Sequence, residues 1–119
     1  MKKRLLTKLA VLLTALLLLT LTLPAYAEEG GVCGDDLQWS FSGGTLTITG
    51  SGEMTDFPES EMSPWYDLRQ QITAVSLPSG LASVGDLAFY GCKELTAVTL
   101  PDSVTRVGDY AFAECAELL

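Results

Sequence analysis

Histidine is absent from the 119 residues of the chain. Its absence removes the usual general base, the Ser-His and Cys-His nucleophile pairs and the commonest zinc ligand. Two carboxylates could still act as acid and base, and the closest pairs in sequence are Asp35 with Asp36 and Glu59 with Glu61. Such neighbours on a strongly acidic chain are usually only solvated. The chain also lacks an EF-hand loop and a glycine-rich calcium nonapeptide, so we predict no catalytic residue, no metal site and no cofactor.

Basic residues are scarce, with seven Lys and Arg against 15 Asp and Glu. Four of the seven lie between Lys2 and Lys8. Without residues 1–27 the chain keeps three positive and 15 negative side chains, a net charge of about −12. Nucleic acids and anionic lipid surfaces require a basic footprint on their partners, and the negative charge therefore disfavours both as ligands. A charge of this size also favours solubility.

Residues 1–27 have the pattern of a signal peptide. A basic start precedes Leu9–Leu23, which contains only Leu, Ala, Val and Thr, and Pro24-Ala25-Tyr26-Ala27 follows as an A-x-A cleavage site. The apolar run is shorter than the roughly 18 to 20 residues that a membrane-spanning helix needs. We therefore predict a signal peptide over residues 1–27, a secreted or cell-surface location, and no membrane insertion after cleavage.

One block of sequence occurs twice in succession, as Thr73–Leu95 and Thr96–Leu118, and 13 of its 23 aligned pairs are identical. A repeat period of roughly 20 to 29 residues is typical of stacked units that are each too small to bury their own apolar face. The chain is thus predicted to form an α/β repeat solenoid over residues 72–119. Because a solenoid generally needs three or more repeats and a cap at each end, more repeats are expected after Leu119.

The pattern L-x-x-V-x-L spans the start of each unit, at Ile72–Leu77, where isoleucine takes the first position, and again at Leu95–Leu100. A proline follows both times and ends the predicted strand, since it has no N–H to donate to a ladder. Side chains alternate along a strand, so the Val and Leu of the pattern should point inward and the small residues between them outward. The predicted outward face consists of Ala74, Ser76, Ala97 and Thr99.

The apolar residues of Val104–Leu118 recur at roughly helical spacing. This spacing predicts short helical or 3-10 segments beginning near Leu87 and Tyr110. Asp86 and Asp109 are positioned to cap those segments. The expected fold of each unit is a short parallel strand followed by a short helical segment.

Gly85 and Gly108 precede the predicted helical segments, where a sharp turn should require positive φ. Phe89 and Phe112 are the largest apolar residues of their units and should stack in the core. Truncation of either to alanine should cost about 3–5 kcal/mol. Replacing Gly108 with valine should likewise be severe, whereas Thr99→Ala on the outward face should be tolerated.

Cys92 and Cys115 occupy the same position in the two units, on the side of the phenylalanines. Adjacent coils lie about 4.8 Å apart, so a disulfide between them is geometrically conceivable. Free cysteine is among the most buried residue types. We therefore favour two buried thiols, with the disulfide as the alternative.

Residues 28–71 are predicted to form an N-terminal β-rich cap and an acidic loop. Leu37–Phe41 and Thr45–Thr49 alternate apolar and polar residues on either side of a Ser-Gly-Gly turn, which favours a β-hairpin. The acidic loop Glu53–Asp67 follows. In the cap interpretation it covers the open end of the first coil. In the alternative it is a binding loop, with Trp65 and Tyr66 as exposed contact residues.

The combined pattern L-x-x-V-x-L-P-x-x-V-x-x-V-G-D-x-A-F-x-x-C-x-x-L, over Ile72–Leu118, resembles the BspA-type leucine-rich repeat of bacterial surface proteins. The stretches Cys33–Trp39 and Gly44–Met54, with Pro64-Trp65, also resemble the segment that often precedes such repeats. The wider leucine-rich class commonly has an asparagine ladder in its turns, but this chain contains no asparagine. Other groups must therefore supply those hydrogen bonds.

The resemblance implies a non-catalytic secreted or cell-surface protein that binds a protein or cell-surface ligand and mediates adhesion. An alternative is a repeat or targeting module at the N-terminus of a larger secreted enzyme, with its catalytic domain outside this chain. A third is a short secreted protein with only a structural role. For the first function the candidate contact residues are Ala74, Ser76, Ala97, Thr99, Trp65 and Tyr66.

Overall fold

The computed structural model describes residues 29–119, so the predicted signal peptide lies outside the described residues. Six β-strands and one short 3-10 helix form the regular structure of this part, which contains no α-helix. In chain order the elements are β1 (Glu29–Gly34), β2 (Leu37–Ser42), β3 (Thr45–Glu53), the 3-10 helix Tyr66–Leu68, β4 (Ala74–Ser76), β5 (Gly80–Val84) and β6 (Arg106–Val107).

Strands β2 and β3 form the hairpin that the alternating sequence predicts. They pair antiparallel around a two-residue turn, Gly43 and Gly44. Both glycines have positive φ, 59° and 86°, as a type I′ turn requires at its two central positions. The inward side chains Leu46 and Ile48 are 0% and 2% exposed. β1 adds a third antiparallel strand on the other side of β2.

Strand β3 joins the hairpin to the repeats because its two halves pair with different strands. Thr45–Thr47 pairs in parallel with β4, and Ser51–Glu53 pairs in parallel with β5. In the second half, Gly50 and Gly52 have φ of 108° and 98°, values that few other residues adopt. A Cβ on Gly50 would also overlap the carbonyl oxygen of Asp36. The sheet is therefore mixed, antiparallel in the hairpin and parallel where the repeats begin.

The predicted parallel strands are present only in part. In the first coil, Thr73–Leu95, the expected strand is β4. In the second coil, Thr96–Leu118, the equivalent stretch Ala97–Thr99 belongs to no ladder. The parallel ladder that does connect the two coils lies further along each unit, between β5 and β6.

The ladder of β5 and β6 contains residues whose apolar spacing predicts a helical segment. Val84 lies opposite Val107 in this ladder. The register of β5 against β3 shifts at Ala82, where Leu81 and Ser83 oppose consecutive residues of β3. Such a bulge lets Leu81 and Val84 both face the core. Their three-residue spacing therefore arises from an irregular strand, and the helical interpretation of it is wrong.

The predicted helical segments near Leu87 and Tyr110 are also wrong, because both stretches are successive turns. Every second amide donates to the carbonyl three residues back in its own coil, as from Ala88 to Gly85 at 3.2 Å. In a helix, consecutive amides beyond the first turn all bond internally. The amides between them instead donate to the second coil: Leu87 to the carbonyl of Asp109 at 2.9 Å, Phe89 to Ala111 at 2.7 Å and Gly91 to Ala113 at 2.9 Å.

Positive φ occurs two residues after the positions where it was predicted. Leu87 and Tyr110 have φ of 60° and 57°, whereas Gly85 and Gly108 do not have positive φ. The two glycines are needed for close approach of the backbone instead. A Cβ on Gly85 would overlap the carbonyl oxygen of Thr55, and one on Gly108 would overlap Asp86 of the first coil.

Stacked aromatic rings connect the N-terminal segment, residues 29–71, with both coils. Phe89 stacks on Phe112 with ring centroids 5.3 Å apart, and Trp65 stacks on the other side of Phe89 at 5.6 Å. Trp39 and Phe57 make T-shaped contacts with Trp65, with ring centroids 5.7 and 5.6 Å apart. Trp65 thus takes the place in the stack that a repeat phenylalanine takes in each coil, and both phenylalanines are in the core as predicted.

Burial declines from the first coil to the second at equivalent positions. Val84 and Phe89 are fully buried, whereas Val107 is 45% exposed and Phe112 is half-buried. Leu100, predicted to point inward, is 41% exposed. Within residues 29–119 the second coil has a neighbour on one side only, so the inward side chains of that coil are only partly covered.

Candidate binding face

Four of the predicted contact residues lie on the exposed side of the repeats. Ala74 and Ser76 of β4 are exposed, and Val75 between them is turned toward the core. Ala97 and Thr99 are exposed in the second coil, with Val98 turned inward. The alternation predicted from the sequence is therefore present in both coils, although only the first has a regular strand. We call Ala74, Ser76, Ala97 and Thr99 the strand face.

A shallow groove of about 370 Å³ crosses the strand face. Its lining includes Ser76 of the first coil and Thr99 of the second, together with Val75 and Leu77. Ser79 and Pro101 also line it. The alternation rule does not predict these two residues, because each lies just after the alternating stretch of its unit. Ala74 and Ala97 flank this region without lining the groove.

Trp65 and Tyr66 are not part of the strand face. Trp65 is only 1% exposed, and its indole Nε1 donates a hydrogen bond of 2.7 Å to the carbonyl oxygen of Ala88. The prediction that Trp65 is an exposed contact residue is therefore wrong. Tyr66 is half-buried, with the guanidinium of Arg69 4.0 Å from its ring centroid. Tyr66 lines a different groove, formed by the turns.

An aspartate ladder supplies hydrogen bonds in the turns of this asparagine-free chain. The carboxylate of Asp56 accepts the amide of Asp86 at 2.9 Å, and that of Asp86 accepts the amide of Asp109 at 2.7 Å. Each carboxylate thus serves the following turn of the stack. The prediction that Asp86 and Asp109 cap helices is wrong, because no helix begins at either residue.

Arg106 is the positive charge beside this ladder. Its Nη2 lies 2.6 and 2.8 Å from the two carboxylate oxygens of Asp56, and its Nη1 is 3.8 Å from Asp86. The hydrogen bond from Arg106, together with that from the amide of Asp86, holds the pKa of Asp56 below its ordinary value. The pair is exposed, and exposed ion pairs contribute little stability. Asp56 and Arg106 lie 50 residues apart, so no local sequence signal could have indicated their contact.

The carboxylate pairs considered for catalysis lie on the surface. Asp35, Asp36, Glu59 and Glu61 are all exposed. Across residues 29–119, no three Cys, Asp or Glu side chains come together as metal ligands would. In the same part of the chain, no helix has the length and apolar character needed to cross a membrane.

The three cysteines are free thiols in different environments. Cys33 and Cys92 are 2% and 1% exposed, and burial raises their pKa to about 11 and about 12. Cys115 is half-buried, its pKa is also raised by burial, and its Sγ lies 3.1 Å from the carbonyl oxygen of Phe89. Cys92 and Cys115 are thus unbridged, in agreement with the favoured prediction.

Alkylation of the native protein should therefore modify Cys115 first. The thiolate is the reactive form. Cys92 is 1% exposed and its pKa is raised to about 12, so little of its thiolate forms and little of it is accessible. We expect a short iodoacetamide pulse, read by mass spectrometry of peptides, to label Cys115 at least about tenfold faster than Cys92 or Cys33, with all three labelled alike in denaturant. Equal rates for Cys92 and Cys115 in the native protein would contradict this burial pattern.

The comparisons with known proteins agree with this architecture. Residues 65–119 match a family described as a BspA type leucine-rich repeat region (6 copies). The chain is also similar to a leucine-rich repeat protein from Eubacterium ventriosum with a crystal structure at 2.50 Å resolution. The two are 34% identical with a TM-score of 0.68, over 74% of this chain and 24% of that one. The chain therefore spans about a quarter of that protein's length. No match was found among the curated proteins.

The family match, residues 65–119, includes both copies of the block and the stacked rings of Phe89 and Phe112. The matched family and the similar crystal structure are both of the leucine-rich repeat type. The repeat period and the G-D-x-A-F motif indicate the same family. Residues 65–119 are therefore a BspA-type leucine-rich repeat region.

Proposed function

We propose that the chain is a non-catalytic secreted or cell-surface protein that mediates adhesion by binding another protein through its strand face. The observation that carries the proposal is the row of small exposed residues repeated in the two coils, with a groove between them. Leucine-rich repeat domains commonly bind proteins. BspA-type repeats are typical of bacterial surface and secreted proteins, which supports the location and the adhesive role.

The chemistry of the strand face suits binding by many modest contacts. The side chains of Ala74, Ser76, Ala97 and Thr99 are short, so a partner can approach the backbone closely. Ser76 and Thr99 can donate and accept hydrogen bonds at the groove, and the half-buried Val75 adds an apolar contact to its lining. Short side chains also lose little conformational entropy when a partner covers them. Affinity would then grow with the number of coils that the partner contacts.

We further propose that the N-terminal segment acts as the cap of the stack. Trp65 covers the face of Phe89 opposite Phe112, and β3 pairs with the strands of the first coil. Without that cover, Phe89 would face solvent as Phe112 does in part. The segment therefore supports the strand face by holding the first coil in register.

Attachment of protein-coated beads to cultured cells or to neighbouring bacteria tests the proposed function. Thr99→Arg places a long charged side chain across the groove and should lower attachment at least about tenfold. Thr49→Arg is the matched control, since Thr49 is an exposed strand residue outside the groove. Both variants should keep the melting temperature of the unchanged protein. Equal attachment by the two variants would exclude the strand face as the contact surface.

A further inference from the structure

The turns of the N-terminal segment and of both coils form a second groove of about 320 Å³. All three tyrosines of residues 29–119 line it, and none of the strand-face residues does. We call it the tyrosine groove. Its lining residues are Glu59, Met62, Tyr66, Leu87, Tyr90 and Tyr110.

The repeat itself does not require tyrosine at these positions. Tyr110 is aligned with Leu87 of the first coil, and Tyr90 is aligned with Ala113 of the second. The same turn is therefore built with leucine or alanine. Residues that hold the coil together, such as the stacked phenylalanines, are identical in both copies. The tyrosines instead occupy positions where the two copies differ, and the turns bring them into one groove.

Burial does not explain the tyrosine at position 110. Its side chain is 67% exposed, and its φ is 57°. A bulky residue in the left-handed region is conformationally unfavourable, and glycine or asparagine would adopt it more readily. Neither burial nor backbone preference thus favours tyrosine here. A large amphipathic ring in such a position is instead what a contact surface uses.

The rings and the charge of the groove suit a cationic guest. The stacked and edge-on ring pairs within residues 29–119 involve only tryptophan and phenylalanine, so no tyrosine ring is engaged by another ring. Arg69, which does not line the groove, already lies 4.0 Å from the ring centroid of Tyr66. The single charged residue in the lining is Glu59. Tyrosine faces attract ammonium and guanidinium groups, and an acidic protein concentrates cations at its surface.

We propose that the tyrosine groove binds a lysine or arginine side chain of a partner protein, as a contact site separate from the strand face. The ammonium or guanidinium group lies against the tyrosine faces, and the carboxylate of Glu59 balances its charge. A volume of about 320 Å³ is at the lower end of the range for small-molecule sites, which suits one side chain. The inference does not depend on the strand face, because the two grooves share no residue.

NMR titration of the purified chain with a short blocked peptide containing one lysine tests this site. At millimolar peptide we expect shifts of the ring signals of Tyr66, Tyr90 and Tyr110. The same peptide with acetyl-lysine, which lacks the charge, should bind at least about fivefold more weakly. Cellobiose, a neutral sugar that could also stack on tyrosine, should leave the ring signals unchanged.

Three variants distinguish a loss of binding at this site from a general effect on the fold. Glu59→Gln removes the exposed carboxylate, and Tyr90→Ala and Tyr110→Leu install the residue that the other coil has at the same position. Each should weaken the lysine peptide at least about fivefold while the melting temperature stays close to that of the unchanged chain. Thr99→Arg, on the strand face, should have no effect on this peptide.

Four results would overturn the proposal. The first is the absence of shifts at the tyrosine rings, and the second is equal binding of the lysine and acetyl-lysine peptides. The third is unchanged affinity in Glu59→Gln, a surface substitution that should not disturb folding. The fourth is a response to cellobiose in place of the lysine peptide, which would make the groove a sugar site.

Discussion

Replacement of Phe89 with alanine is expected to lower the free energy of unfolding by about 3–5 kcal/mol. Phe89 is 0% exposed and is the middle ring of the stack, between Trp65 and Phe112. Its removal leaves a cavity and also separates the N-terminal segment from the second coil. A domain of this size has about 5–15 kcal/mol of total stability, so the variant should be near its unfolding threshold. Urea denaturation followed by tryptophan fluorescence measures the loss.

The matched control for Phe89 is Phe112 at the same repeat position. Phe112 is half-buried and contacts one stacked ring instead of two, so Phe112→Ala should lose about half as much stability as Phe89→Ala. The sequence alone predicts equal losses for the two, because it cannot show which coil is covered on both sides. Equal measured losses would mean that the second coil is as well buried as the first.

Gly85→Ala is expected to be nearly as damaging, with a loss of about 3 kcal/mol. Gly85 is buried, and a Cβ there would overlap the backbone carbonyl of Thr55. A backbone atom held in place by its neighbours cannot move aside as a flexible side chain can. Relief would require separation of the first coil from the N-terminal segment, where the amide of Phe57 donates a hydrogen bond of 3.1 Å to the carbonyl of Asp86. Thermal and urea unfolding both report this loss.

Gly43→Ala serves as the control for Gly85→Ala. Gly43 has φ of 59°, and no atom lies within 4 Å of the position that a Cβ would take. Alanine there would therefore clash with nothing, and its only penalty is the conformational free energy of the left-handed backbone. That cost is about 1 kcal/mol. If Gly85→Ala is as mild as Gly43→Ala, the close packing of Gly85 against Thr55 is not present in solution.

Residues that act within one unit could be predicted from the sequence. The alternation about Val75 and Val98, the hairpin at Gly43-Gly44 and the burial of Phe89 each follow from a local pattern with a fixed period. These features depend on a few consecutive residues. Strand β1 was missed because half of its residues are glycine, which is usually depleted in strands.

The errors arose where the fold depends on contacts between units. The bulge at Ala82 gives a strand the apolar spacing of a helix, and short apolar runs do not distinguish the two. The alternating hydrogen bonds of Leu87 and its neighbours go to the second coil, so no single unit predicts them. Trp65 could not be recognised as the first ring of the stack, since its partner Phe89 lies in a different unit and the N-terminal segment does not repeat.

The two candidate binding sites also differ in whether a local pattern or contacts between units form them. The strand face was predictable because Ser76 and Thr99 are outward in any strand with that alternation. The tyrosine groove was not, because Tyr66 precedes the repeats and Tyr110 belongs to the second of them, so the two come together only when the coils stack.

Native-state amide hydrogen exchange tests the stacking of the coils most directly. The amides of Leu87, Phe89 and Gly91 donate to the second coil, whereas those of their equivalents, Tyr110, Phe112 and Glu114, have no acceptor within residues 29–119. We predict that the first set exchanges at least about a hundredfold more slowly than the second. Equal exchange rates at equivalent positions would contradict the stacked-coil architecture on which both binding sites depend.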